Sequence, residues 1–69
     1  MMALAVKLKE ERVKKGLTQQ QIADLLEVNR ITYQGYEKGK HQPDLFMLIK
    51  IADTFKTSTD YLLGRYNAR

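Results

Sequence analysis

"VNRITYQGYEKGK", residues 28–40, decides how the chain is read. Asn29 is a polar starter and Gly39 a stop signal, and the residues between them read as a short helix. Wound at about 100° per residue, Asn29, Tyr33, Tyr36 and Glu37 gather on one side. Arg30, Ile31, Gln34, Gly35 and Lys38 gather on the opposite arc. One side can pack. The other carries a guanidinium, an amide, a branched apolar chain and a gap. Arginine can donate two hydrogen bonds to guanine, glutamine can pair with adenine, and an aliphatic group can touch a thymine methyl. Gly35 costs about 0.5–1 kcal/mol relative to alanine inside a helix, a cost that close approach of another surface would explain. A solvated face with an incidental glycine fits the same pattern.

The neighbouring segments sharpen that choice. In "TQQQIADLL", residues 18–26, Thr18 and Gln21 form a capping box that opens a second helix. Ile22, Leu25 and Leu26, with Ala23, form its apolar side. Only Glu27 to Asn29 separates this helix from the next, so the two meet at a sharp angle. Thr18 and Gln19 stand at a helix N-terminus, where free amide protons and the positive dipole end suit a phosphate. Lys38, Lys40 and His41 follow the third helix and suit phosphate too. A reading helix flanked by phosphate clamps is the arrangement a DNA binder needs.

Three further helices complete the pattern. The first spans about Ala3 to Lys15, with Leu4 and Leu8 on one stripe and Gly16 after two lysines. The fourth starts after Pro43 with Asp44 as N-cap, and Leu45, Leu48, Ile51, Ala52 and Phe55 recur at helical spacing. The fifth is a turn from Ser58 to Leu63, closed by Gly64. Nothing alternates with period two long enough for a sheet. The expected class is all-α, five short helices around one core.

At 69 residues the chain has room for a single domain, 1–69 with a short tail at 65–69. Absence of cysteine removes disulfides and thiolate metal sites, and His41 alone cannot build a zinc site. Twelve Lys and Arg against eight Asp and Glu leave a formal charge of +4, which favours a polyanionic partner. Met1 to Val6 is too short for a secretory or membrane segment, so the expected location is the cytoplasm, on the nucleoid when DNA is bound. No nucleophile–base set, metal cluster or phosphate-cradling glycine loop argues for an enzyme, and neither a cofactor nor a metal is expected. Nor does so short a chain leave room for an effector pocket, so no small-molecule effector is expected.

Arg12 lies on the apolar stripe of the first helix, four residues past Leu8. A buried guanidinium needs a carboxylate, and Glu37, on the inner side of the third helix, is a candidate. Spacing alone equally allows Arg12 to snorkel to water from the edge of the stripe. Tyr33 and Tyr36 read as core residues with wet hydroxyls.

The ordered set GLTQ, IA, LL-V, YEKGK, P, IAD and DYLLG, across residues 8–64, resembles the helix-turn-helix domains of the phage Cro and repressor type. These are also called the xenobiotic-response-element-like family of bacterial regulators. The resemblance implies a five-helix, lambda-repressor-like DNA-binding domain, with helices two and three as the helix-turn-helix and helix three in the major groove of double-stranded DNA. By position it implies base contacts from Arg30, Ile31, Gln34 and Gly35, and backbone contacts from Thr32, Lys38 and Lys40 beside Thr18 and Gln19. Gln19 also matches a glutamine that braces the reading helix in relatives. Arg12 and Glu37 match an interhelical salt bridge of the family. The chain departs from the pattern in places. Glu27 and Lys56 stand where turn glycines are usual, and a positive φ would strain Glu27. Thr57 replaces a buried valine. Position 35 is more often a longer polar residue, which leaves a base contact missing.

One such domain reads few base pairs, so a homodimer on a palindromic operator is expected, with half-sites about 34 Å apart. Phe46, Met47 and Ile49 lie off the fourth helix's apolar stripe and can mark a partner surface or pack under the chain's ends. The dimer surface is expected around Phe46, Tyr61 and Tyr66. The function so read is a sequence-specific transcriptional regulator, most simply a repressor. The alternative is an antitoxin-like module that uses the same fold to hold a partner protein.

Overall fold

A computed structural model describes residues 2–65. Its elements are α1 (Met2–Lys14), α2 (Gln19–Leu26), α3 (Arg30–Lys38), α4 (Leu45–Phe55) and α5 (Thr59–Leu62), with no strand among the described residues. Tyr66, expected in the dimer surface, lies outside the described residues.

Local chemistry explains where the helices start. Thr18 Oγ1 accepts from the Gln21 amide at 3.0 Å, and Gln21 Oε1 accepts from the Thr18 amide at 2.8 Å. Both halves of the capping box are therefore present. Asn29 caps α3 by accepting from the Thr32 amide, Asp44 caps α4 through the Met47 amide, and Ser58 caps α5 through the Tyr61 amide.

Every helix ends in the same way. After α1, α2, α3, α4 and α5 a left-handed residue follows: Gly16, Glu27, Gly39, Lys56 and Gly64, with φ of 72°, 62°, 72°, 57° and 75°. At each, the next residue's amide reaches back six residues' span to a helix carbonyl, for example Val28 to Ala23 and Thr57 to Ala52. This is the Schellman closure, which satisfies otherwise orphaned carbonyls. At Glu27 and Lys56 it is made without glycine.

The core draws on all five helices: Leu4 and Leu8 of α1, Ile22, Ala23 and Leu26 of α2, Tyr33 and Tyr36 of α3, Leu48, Ile51, Ala52 and Phe55 of α4, and Leu62 of α5. Burying a leucine, isoleucine or phenylalanine side chain completely contributes about 1.5–3 kcal/mol. α2 and α3 pack on each other, α1 crosses α3, α4 supports α2, and α5 bridges α1 and α4. No helix among the described residues is long and apolar enough to cross a membrane.

Three details differ from the sequence-based expectation. Leu25 is 55% exposed, because the buried stripe of α2 is narrow and centres on Ile22, Ala23 and Leu26. Leu45 is 65% exposed, since it opens α4 one turn before the buried run begins at Leu48. The Tyr33 hydroxyl is not wet: it is buried and makes no hydrogen bond of good geometry.

Candidate nucleic-acid interface

α3 is held by its inner side. Tyr33 is fully buried and Tyr36 nearly so, their rings edge to face at 6.2 Å. Arg12 Nε donates to Glu37 Oε2 at 2.6 Å, and Arg12 Nη2 donates to Glu37 Oε1 at 3.2 Å. Arg12 Nη1 also donates to the Leu17 carbonyl at 2.9 Å, and Gln19 Nε2 donates to Glu37 Oε1 at 3.1 Å. One carboxylate thus ties α1 and α2 to α3. Its side chain is 4% exposed and that of Arg12 is 13% exposed. Burial pushes the Glu37 carboxyl up, but hydrogen bonds from Arg12 and Gln19 outweigh it and hold the group below its usual range. Burial also raises Tyr33 well above the ordinary phenol range, so it stays neutral.

The turn that sets the angle between α2 and α3 is also braced. Lys50 of α4 donates from Nζ to the Leu26 carbonyl at 2.9 Å and to Glu27 Oε1 at 3.0 Å. Val28 packs against the core from the same turn. Nothing in its spacing marks Lys50 as a brace, because its partners are far along the chain.

With the inner side locked, the outer arc is left to solvent. Arg30, Ile31 and Lys38 are exposed, Ile31 by 71%, and Gln34 is half-buried. Thr18 and Lys40 are exposed, while Gln19 and Thr32 are half-buried. Thr18 is engaged in its cap, and Gln19 in its bond to Glu37.

Gly35 lies on the same arc but is not open to solvent. It is buried, and the surface that approaches it is the imidazole of His41. A Cβ built on Gly35 would fall 2.2 Å from His41 Cε1. The chain turns back at Gly39 and lays the ring over the helix. There it meets Tyr36 edge to face at 5.2 Å, and His41 Nε2 lies 3.2 Å from the Thr32 carbonyl. The close approach expected for Gly35 is thus met from within the chain.

The residues read as a dimer surface divide. Phe46 is 81% and Ile49 43% exposed, with Leu45 beside them, whereas Met47 packs against the core. Tyr61 is half-buried, and the Lys7 ammonium lies 4.7 Å from its ring centre. Glu11 is 4% exposed yet bonded by Lys14 at 2.8 Å, and no motif or spacing in the sequence marks it as buried. A mostly apolar groove along α1 is lined by Ala5, Val6, Lys9, Glu10, Val13, Lys14 and Glu37, and none of Arg30, Ile31 and Gln34 lines it.

A helix-turn-helix family profile matches residues 8–62. The chain is 48% identical over 59 residues to the HTH-type transcriptional regulator AnsR of Bacillus subtilis, covering 86% of this chain and 51% of that protein. It is 35% identical over 65 residues to the cryptic phage CTXphi transcriptional repressor RstR of Vibrio cholerae, covering 94% and 58%. An HTH-type transcriptional regulator of Archaeoglobus fulgidus is 36% identical over 59 residues, covering 86% and 84%. The chain spans about half the length of several curated relatives that it matches.

Proposed function

The chain belongs to the helix-turn-helix family, and from that membership we propose that it binds double-stranded DNA in a sequence-specific manner and regulates transcription. The observation that carries the reading is the two-sided character of α3. Its inner side is immobilised by Tyr33, Tyr36 and the Arg12–Glu37 pair, and its outer arc offers Arg30, Ile31 and Gln34. Rigid presentation matters, because a side chain that must find its own orientation loses affinity to ordering.

In this reading Arg30, Ile31 and Gln34 face base edges in the major groove. Thr18, Gln19, Thr32, Lys38 and Lys40 meet the phosphates on either side. The outer arc and its flanks carry Arg30, Lys38 and Lys40, and the chain's +4 charge draws it to DNA at long range. The protein works in the cytoplasm, on the nucleoid when bound.

We assign the mode of action as repression by a homodimer on a palindromic operator. Support comes from a relative that is named a transcriptional repressor and from the exposed apolar cluster of Leu45, Phe46 and Ile49 on α4. Selection of bound duplexes from a random pool tests the whole proposal. Enrichment of an inverted repeat is expected, and a pool that stays random would end the reading.

A further inference from the structure

The outer arc of α3 has a hole in it. Gly35 occupies the middle of that arc, between Ile31 and Lys38, and brings no side chain. The hole is filled by His41, from the loop after the helix. Its Cε1 lies 2.2 Å from where a Cβ on Gly35 would be, with Nε2 at 2.7 Å and Nδ1 at 2.8 Å. Any larger residue at 35 would have to push the ring away. The ring is also fixed from two other directions, by the edge-to-face contact with Tyr36 at 5.2 Å and by the Thr32 carbonyl at 3.2 Å. His41 nevertheless remains exposed overall.

We infer that His41 is a specificity-determining residue: seated over Gly35, it supplies the base contact that α3 itself lacks at position 35. This inference rests on α3 being the reading helix. The chemistry follows from the hydrogen bond. A carbonyl only accepts, so the contact with Thr32 favours the tautomer with the proton on Nε2, and in that tautomer Nδ1 is an acceptor. In the major groove an acceptor pairs with the exocyclic amino group of adenine or cytosine. Each base pair carries one such group there, so His41 reports which strand bears the purine or pyrimidine that holds it. The glycine and the histidine form one unit. The first is small so that the second can sit against the helix.

The test uses the full chain in parallel selections from one random duplex pool: wild type, His41→Ala, Gly35→Ala and the double variant. Circular dichroism melts confirm that each is folded. Gly35→Ala exchanges a poor helix former for the best one, so displacement of the ring is its main consequence. The expected result is a wild-type consensus in which one base pair becomes degenerate in His41→Ala, with about tenfold loss of discrimination there. Gly35→Ala should blur the same base pair, and the double variant should be no worse than either single one. Unchanged consensus in His41→Ala, with or without a lowered melting temperature, overturns the inference, because the ring then only pins the loop. Uniform weakening on all sequences overturns it too, because the contact is then to phosphate. If wild type itself selects no consensus, the DNA-reading role of α3 fails and the inference falls with it, an outcome the wild-type arm distinguishes from the other two.

Discussion

Arg30 and Lys38 lie on the same arc of α3, yet their proposed partners differ, and the difference is measurable. Arg30→Ala is expected to cost about 1–3 kcal/mol on the selected sequence and little on random DNA. Lys38→Ala or Lys40→Ala should weaken binding to both and flatten the salt dependence by about one unit each. Titrations at several salt concentrations separate these outcomes, and equal losses for Arg30→Ala on both DNAs would refute base reading by that residue. Tyr33 raises a different question. Its hydroxyl is buried beside the Arg12–Glu37 pair without a hydrogen bond of good geometry. An unsatisfied buried group is costly, so Tyr33→Phe should be neutral or stabilising, within about 1 kcal/mol. A loss above about 2 kcal/mol in urea unfolding would reveal a partner for that hydroxyl.

Two of the C-terminal caps carry backbone strain. Glu27 and Lys56 hold φ of 62° and 57°, a region that disfavours a Cβ. Lys56→Gly should therefore stabilise by about 1 kcal/mol, or raise the melting temperature by about 4–8 °C. Glu27→Gly gains the same relief but loses the contact with Lys50, whose side chain is 39% exposed against 81% for that of Glu27. So exposed a pair is worth little, so a net gain of about 0.5–1 kcal/mol is expected. Should thermal melts show Glu27→Gly destabilised, the Lys50 brace would be worth more than its exposure implies. These elements also show what is legible locally. Thr18, Asn29, Asp44 and Ser58 announce helix starts because each accepts from an amide three residues on.

At the scale of the whole molecule, the charged network sets the response to acid. Lys14's hydrogen bond lowers Glu11 against the opposing effect of burial, and Glu37 is lowered too. A carboxylate depressed in the folded state contributes stability that is complete above its unfolded pKa and is lost as pH falls through its folded one. The melting temperature should therefore be flat from neutral pH to about 5 and drop below about 4.5. Glu37→Gln should lower stability at neutral pH by about 1.5–3 kcal/mol and make the acid limb shallower. An acid limb as steep as that of wild type would remove Glu37 from the account. Assembly belongs to this scale as well. Phe46 is 81% exposed, so Phe46→Ser should leave the monomer's stability within about 0.5 kcal/mol. It should weaken two-to-one assembly on a selected palindrome in sedimentation, and unchanged assembly would place the dimer surface elsewhere.

Helix starts, the order of elements and the amphipathic division of α3 were determined by the sequence alone. They depend on contacts three or four residues apart, whose geometry any helix repeats. Arg12's place on an apolar stripe was legible as a demand for a carboxylate, but spacing could not exclude a guanidinium turned to water. Only the tertiary structure decided that Leu25 and Leu45 stay outside, that Lys50 closes the turn after α2, and that His41 lies over Gly35. Each of those depends on how separate helices and loops meet in space. No local period encodes such a meeting, because it is settled by the packing of the whole core.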